Sequence, residues 1–138
     1  PDVFAPVQAL CQTRNFSAGE TIFNEGEPAE QISILKSGKV ELTFALPQQT
    51  DTTQIRITEI HPGEVFGWSA LVAHNTWTAR ARAIHDSDVF LVPGMELRKL
   101  MDADANLGYP VMEHMLQLVV SRLHDTRHQL RWLLRTTP

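Results

Sequence analysis

Near Gly94 the hydrophobic period of this 138-residue chain changes, and the change divides it into two parts that must fold by different rules. Before it, from Asn15 to Val92, short apolar runs are separated by NEGEP, SGK, PQQTD and HPGE, stretches rich in the Gly, Pro, Asn and Asp that turns require. Strands are predicted at Thr21–Phe23, Gln31–Leu35, Lys39–Leu46, Thr53–Ile60, Ala79–Ile84 and Asp88–Val92. Ile55 and Ile57 alternate with Arg56 and Thr58, as in a half-buried antiparallel strand. Short strands at such spacing predict a roll or barrel. After Gly94, Met95–Ala103 reads as a short helix and a longer one is expected to begin near Pro110, a residue tolerated in a first turn. Met112, Leu116, Val119, Leu123, Thr126, Leu130 and Leu133 follow at spacings of 4, 3, 4, 3, 4 and 3, a heptad seam. Val111, Met115 and Leu118 add a second stripe in the first half alone, so that half is expected to touch both the roll and a partner helix. Few other helices are available to cover the seam. A homodimer along Met112, Leu116, Val119, Leu123, Leu130 and Leu133 is therefore predicted, the alternative being a seam packed within one chain.

The expected class is mainly β with a C-terminal α part: one domain over residues 1–138, with an antiparallel β-roll at about 15–93 and helices at about 94–135. A chain with 43% apolar and 20% charged residues is ordinary for a soluble domain. At this size roughly two-thirds of the unfolded surface can be buried without staples. Sixteen acidic against twelve basic side chains give a net charge of −4, which argues against a dedicated nucleic-acid binder. Four Arg and one Asp between Arg122 and Arg135 make a local basic surplus, read here as a solvated helix face. Cys11, the single cysteine, can form neither an internal disulfide nor a Cys-rich metal site, and a reducing cytoplasm is expected. PDVFAPVQALCQ has no secretory pattern, and no run of 18 apolar residues predicts a membrane span.

FSAGETIFNEGEPAEQISILKSGKVELTF (Phe16–Phe44) and PGEVFGWSALVAHNTWTARARA (Pro62–Ala83) resemble the cyclic nucleotide-binding domain of the catabolite-activator type. Gly19, Gly26, Gly38, Gly63 and Gly67 fall at that family's turns, and the resemblance runs from Phe16 to Leu133. It implies an antiparallel β-roll, a short helix and a long dimerisation helix. It also implies a ligand cassette running from an FGE-type turn through a short helix to an Arg-Ala pair. By that resemblance Phe66, Gly67, Trp68, Ser69, Ala70, Leu71, Trp77, Thr78 and Ala79 are candidate ligand residues. Thr126, in RLHDTRHQL, matches the family's Thr that reaches the base from the dimer seam.

Two charged readers are missing. Trp68 stands where the family's ribose-binding Glu would be, and Trp77 where its phosphate-binding Arg would be. Each lost charge-assisted partner costs about 1.5–3 kcal/mol, so the pair predicts cyclic AMP affinity lowered by roughly 3–6 kcal/mol. Stacking on an indole returns about 1–3 kcal/mol without replacing a guanidinium. Arg80 and Arg82 alternate with Ala79, Ala81 and Ala83, so both arginines are expected outside the roll, with the small residues on the crowded inner face.

His124 and His128 have i, i+4 spacing but no third ligand nearby, and no motif supports His74 or His85 as a haem ligand, so no metal or cofactor is expected. Ser-His-Asp, Walker and GxSxG patterns do not occur, and an enzyme is not expected. The residues given contain no DNA-reading module. The expected function is a regulatory domain that binds a small ligand, a cyclic nucleotide or a related molecule, in the roll and signals through the long helix. The alternative is a degenerate roll, plugged by Trp68 and Trp77, that serves dimerisation or partner docking.

Overall fold

The computed structural model describes residues 5–47 and 52–136. A short helix α1 (Ala5–Leu10) leads into eight strands, β1 (Gln12–Phe16), β2 (Thr21–Phe23), β3 (Gln31–Ser37), β4 (Val40–Pro47), β5 (Thr52–Ile60), β6 (Val65–Phe66), β7 (Arg80–Ala83) and β8 (Ser87–Pro93). A 3-10 turn (Trp68–Leu71) lies between β6 and β7, and α2 (Gly94–Ala103) and α3 (Ala105–Thr136) close the chain. The strands form two antiparallel sheets, ordered β1-β8-β3-β6 and β2-β7-β4-β5. Among the described residues no helix is long and apolar enough to cross a membrane.

The two sheets face each other across Phe16, Leu35, Val40, Leu42, Ile60, Phe66, Ala81, Ala83 and Val89. Ala81 and Ala83 are fully buried on β7, the inner face that their alternation with arginine predicts. Arg82 points outward, where its Nε donates to Glu41 Oε1 at 3.2 Å, and Arg56 grips Glu41 Oε2 through Nη2 at 2.8 Å. That hydrogen bond raises the Arg56 pKa further above its ordinary value. A second core of Ile32, Ala70, Leu71, Trp77, Val92, Leu97, Met101 and Leu107 fastens the 3-10 turn and α2 to the β3–β8 face.

Several predicted boundaries are corrected. β1 and β6 were not expected: QTRNF is polar because four of its five residues are exposed on an edge strand, and β6 has only two residues. α1 was not expected either, and the predicted strand over Ala79–Ile84 is confined to Arg80–Ala83. The long helix begins at Ala105, not near Pro110, because the Asp104 carboxylate accepts from the Asn106 N–H at 2.9 Å and the Asp104 carbonyl takes the Leu107 and Gly108 N–H groups. Pro110 then sits inside the helix. The PQQTD turn falls largely at residues 48–51, outside the described residues.

Gly38 has φ +100°, and a Cβ there would lie 2.5 Å from the Asp86 carbonyl oxygen and against Ser87 Oγ. Left-handed strain and overpacking together set the expected cost of Gly38→Ala at about 2–4 kcal/mol. Urea denaturation of the variant beside the wild type measures it, and a change within the error of the method would refute the turn's assigned role.

Candidate functional site

The chain after β6 enters the site through Gly67, whose φ of +74° turns it into the 3-10 segment. A Cβ at Gly67 would come within 3.1 Å of the Trp77 ring, so both the turn and the indole beneath it call for glycine. Trp77 is buried and lies on Phe23 with ring centroids 4.0 Å apart and planes 15° from parallel. Its backbone is pinned as well: Trp77 N donates to Glu27 O, and Gly26 N donates to Trp77 O, each at 2.9 Å. The position that the resemblance assigns to a phosphate-reading arginine is thus a stacked aromatic floor.

Beside this floor is a cavity of about 480 Å³. Leu42 and Phe44 of β4 and Ile57 of β5 form one wall, and Trp68, Ser69, Thr78 and Ala79 another. Ile57 is the extra residue where the β4–β5 register shifts between Leu42 and Thr43, a bulge of the kind that re-aims side chains next to sites. Across the cavity, Val119, Arg122, Leu123 and Thr126 present the long helix to the roll.

Of the ten ligand candidates predicted from the sequence, Gly67, Trp68, Ser69, Trp77, Thr78, Ala79 and Thr126 line this cavity. Phe66, Ala70 and Leu71 do not. Phe66 is fully buried between the sheets, and Ala70 and Leu71 turn away with the tight 3-10 helix to pack against α2. The Leu71 carbonyl accepts from Arg98 Nη1 at 3.0 Å, which ties the cassette to that helix. Thr126 donates its hydroxyl to the Arg122 carbonyl at 2.9 Å, one turn back along α3. Trp68 is half-buried on the wall, so the two indoles leave the cavity open instead of filling it.

Arg122 is the residue that sequence reasoning missed. The arginines of the long helix were read as a solvated face, yet the Arg122 side chain is 13% exposed and lines the cavity. Its Nε and Nη2 are closed to solvent and have no hydrogen-bond partner among the described residues, while Nη1 stands 3.5 Å from Asp125 Oδ2. The signal was present: Arg122 lies one turn before Thr126 and three residues after Val119, which places all three on one helical face. Arg80 does not line the cavity. Glu25, the other charged lining residue, accepts the Ala45 N–H through Oε1 at 2.9 Å.

Residues 13–104 match the cyclic nucleotide-binding domain. The chain belongs to that family. It is 28% identical over 142 residues to the CRP-like cAMP-activated global transcriptional regulator of Mycobacterium tuberculosis, a match covering 99% of this chain and 58% of that protein. It is 27% identical over 122 residues to Glutaminase 1 of Bradyrhizobium diazoefficiens, covering 88% of this chain and 19% of that one. The catabolite activator protein of Thermus thermophilus shares the fold, with a TM-score of 0.73 at 22% identity over 96% of this chain and 59% of the other. The fold expected from the sequence, a β-roll followed by a long helix, is the fold observed. Partial burial pushes the Cys11 thiol pKa up, which lowers its thiolate fraction.

The two tryptophans predict different responses to truncation. Trp77→Ala removes a stacked, buried ring and is expected to cost about 3–5 kcal/mol, whereas half-buried Trp68→Ala is expected to cost about 1–2 kcal/mol. Thermal and urea denaturation of both variants check the order, and equal losses would mean that Trp77 is not the floor of the site.

Proposed function

We propose that this chain is a sensory, non-enzymatic domain in which a small molecule enters the roll and its presence is transmitted by α3. The observation that carries this reading is the shared cavity: cassette residues Gly67, Trp68 and Ser69 face Val119, Arg122, Leu123 and Thr126 across about 480 Å³. Cavities of about 300–1,000 Å³ suit small ligands. Membership of the cyclic nucleotide-binding family and likeness to a regulator named for activation by cAMP support a regulatory role. The plugged-roll alternative fits less well with an open cavity beside both indoles.

A sensor needs a readout, and α3 supplies the surface for one. Met112, Leu116, Val119, Leu123, Leu130 and Leu133 are exposed on this chain, with Leu116 at 63% and Leu130 at 55%. Pairing two copies along that row withdraws them from water, and each leucine contributes about 1.5–3 kcal/mol. Val119 and Leu123 belong to both the row and the cavity wall. Whatever fills the cavity therefore presses on the residues that meet the second copy.

Cyclic AMP is expected to bind with a Kd above about 1 μM, weaker than −8.2 kcal/mol, because Trp68 and Trp77 replace the two charged readers. Calorimetric titration with cyclic mono- and dinucleotides tests this, and a submicromolar Kd for cyclic AMP would refute it. Leu130 lies outside the cavity, so Leu130→Glu probes the pairing alone. The wild type is expected to sediment as a dimer at high micromolar concentration and L130E as a monomer. A monomeric wild type would remove the basis for transmission through α3.

A further inference from the structure

The strongest unexplained feature of the molecule is a buried guanidinium that is only partly engaged, its Nη1 paired with Asp125 Oδ2 at 3.5 Å. Among the described residues Nε and Nη2 of Arg122 have no hydrogen-bond partner, and these two nitrogens form the edge of a guanidinium that takes a planar oxyanion side-on through two parallel N–H bonds. A donor closed to water and unpaired is costly, so the edge is built for something the protein alone does not supply. We propose that Arg122 is an anion-binding residue and that the cavity takes a small aromatic or apolar carboxylate, held by its charge on the long helix and by its body among the rings of the roll.

The rest of the cavity narrows the class. Phe23, Leu42, Phe44, Ile57, Trp68 and Trp77 make the walls largely apolar, which suits a flat hydrophobic body. Charge limits the ligand to a single negative charge. Among the described residues Arg122 is the one cation on the lining, Asp125 pairs with its Nη1 at 3.5 Å, and Glu25 adds a carboxylate elsewhere on the wall, so the site has no positive surplus and the Nε–Nη2 edge alone favours an anion. A doubly charged phosphate group would meet too little positive charge. The assignment also departs from the cassette pattern implied by the resemblance, in which the arginine that reads the ligand belongs to the roll.

The inference rests on the cavity being a ligand site, and the experiment separates the two claims. The probes are 1-anilinonaphthalene-8-sulfonate, a fluorescent aromatic monoanion, and N-phenyl-1-naphthylamine, which has the same body without the charge. The anionic dye is expected to bind the wild type at one per chain and to be displaced by 2-naphthoate. Arg122→Met is expected to weaken the anionic dye about tenfold or more while leaving the neutral dye within about threefold. Arg122→Lys keeps the charge and loses the fork, so it is expected to fall between wild type and R122M, and it carries the test if R122M fails to fold by circular dichroism. If both dyes bind and neither variant discriminates between them, the anion assignment is overturned while the cavity reading stands. If neither dye binds the folded wild type, the cavity reading falls and takes the assignment with it.

Discussion

The stack of Trp77 on Phe23 holds together the parts of this domain that matter for a site. Phe23 packs against the inter-sheet core and also against the second cluster, in which Trp77 is buried. The contact therefore joins the sandwich to the layer that carries the 3-10 turn and α2. The same indole lies beneath Gly67 and fixes how closely the cassette approaches the roll. Backbone pairing through Gly26 and Glu27 reinforces it from the side. Aromatic pairs contribute about 0.5–1.5 kcal/mol beyond their burial, but the larger effect here is geometric. With Trp77 held in this stack, the open volume lies between the roll and the long helix.

Much of the fold was legible because its signals are local and repeated. Glycines at turns, alternation on Ile55–Thr58 and the small-residue face of Ala81 and Ala83 each follow from a short stretch of backbone, and they agree with one another. Sequence reasoning failed where tertiary context decides. QTRNF forms a strand because β8 pairs with it along its whole length, a fact carried by residues some 75 positions away. Pro110 lies within a helix because the Asp104 cap starts that helix earlier, and the missing proline N–H costs one bond that the rest of α3 outweighs.

The site was legible in part, and for a physical reason. Gly67, Trp77, Thr78 and Ala79 were candidates by the family resemblance, and the structure places them on the cavity wall. The 3-10 turn has three residues per turn, so neighbours diverge quickly, and Ala70 and Leu71 were lost to α2. Arg122 was missed because charge on a long helix usually marks solvent. Composition cannot tell a solvated arginine from one that a second element covers. The discriminating fact is the proximity of α3 to the cavity wall, and it exists only after folding.

That proximity changes what coupling requires. When a ligand is read by groups on a rigid roll, its binding energy must be passed on to the helix through intermediate contacts, each of which can absorb part of it. A cation on the helix itself would need no such chain, because any difference in its contact with a ligand between helix positions would itself be the coupling free energy. Val119 and Leu123 extend the same economy to the apolar part, since they face both the cavity and the exposed row of α3. In the proposed reading, Trp68 and Trp77 in place of the family's charged readers and a partly engaged guanidinium on α3 would be two sides of one arrangement. The roll would then select a body shape with its aromatic surface, and the helix would hold the charge through which occupancy acts on it.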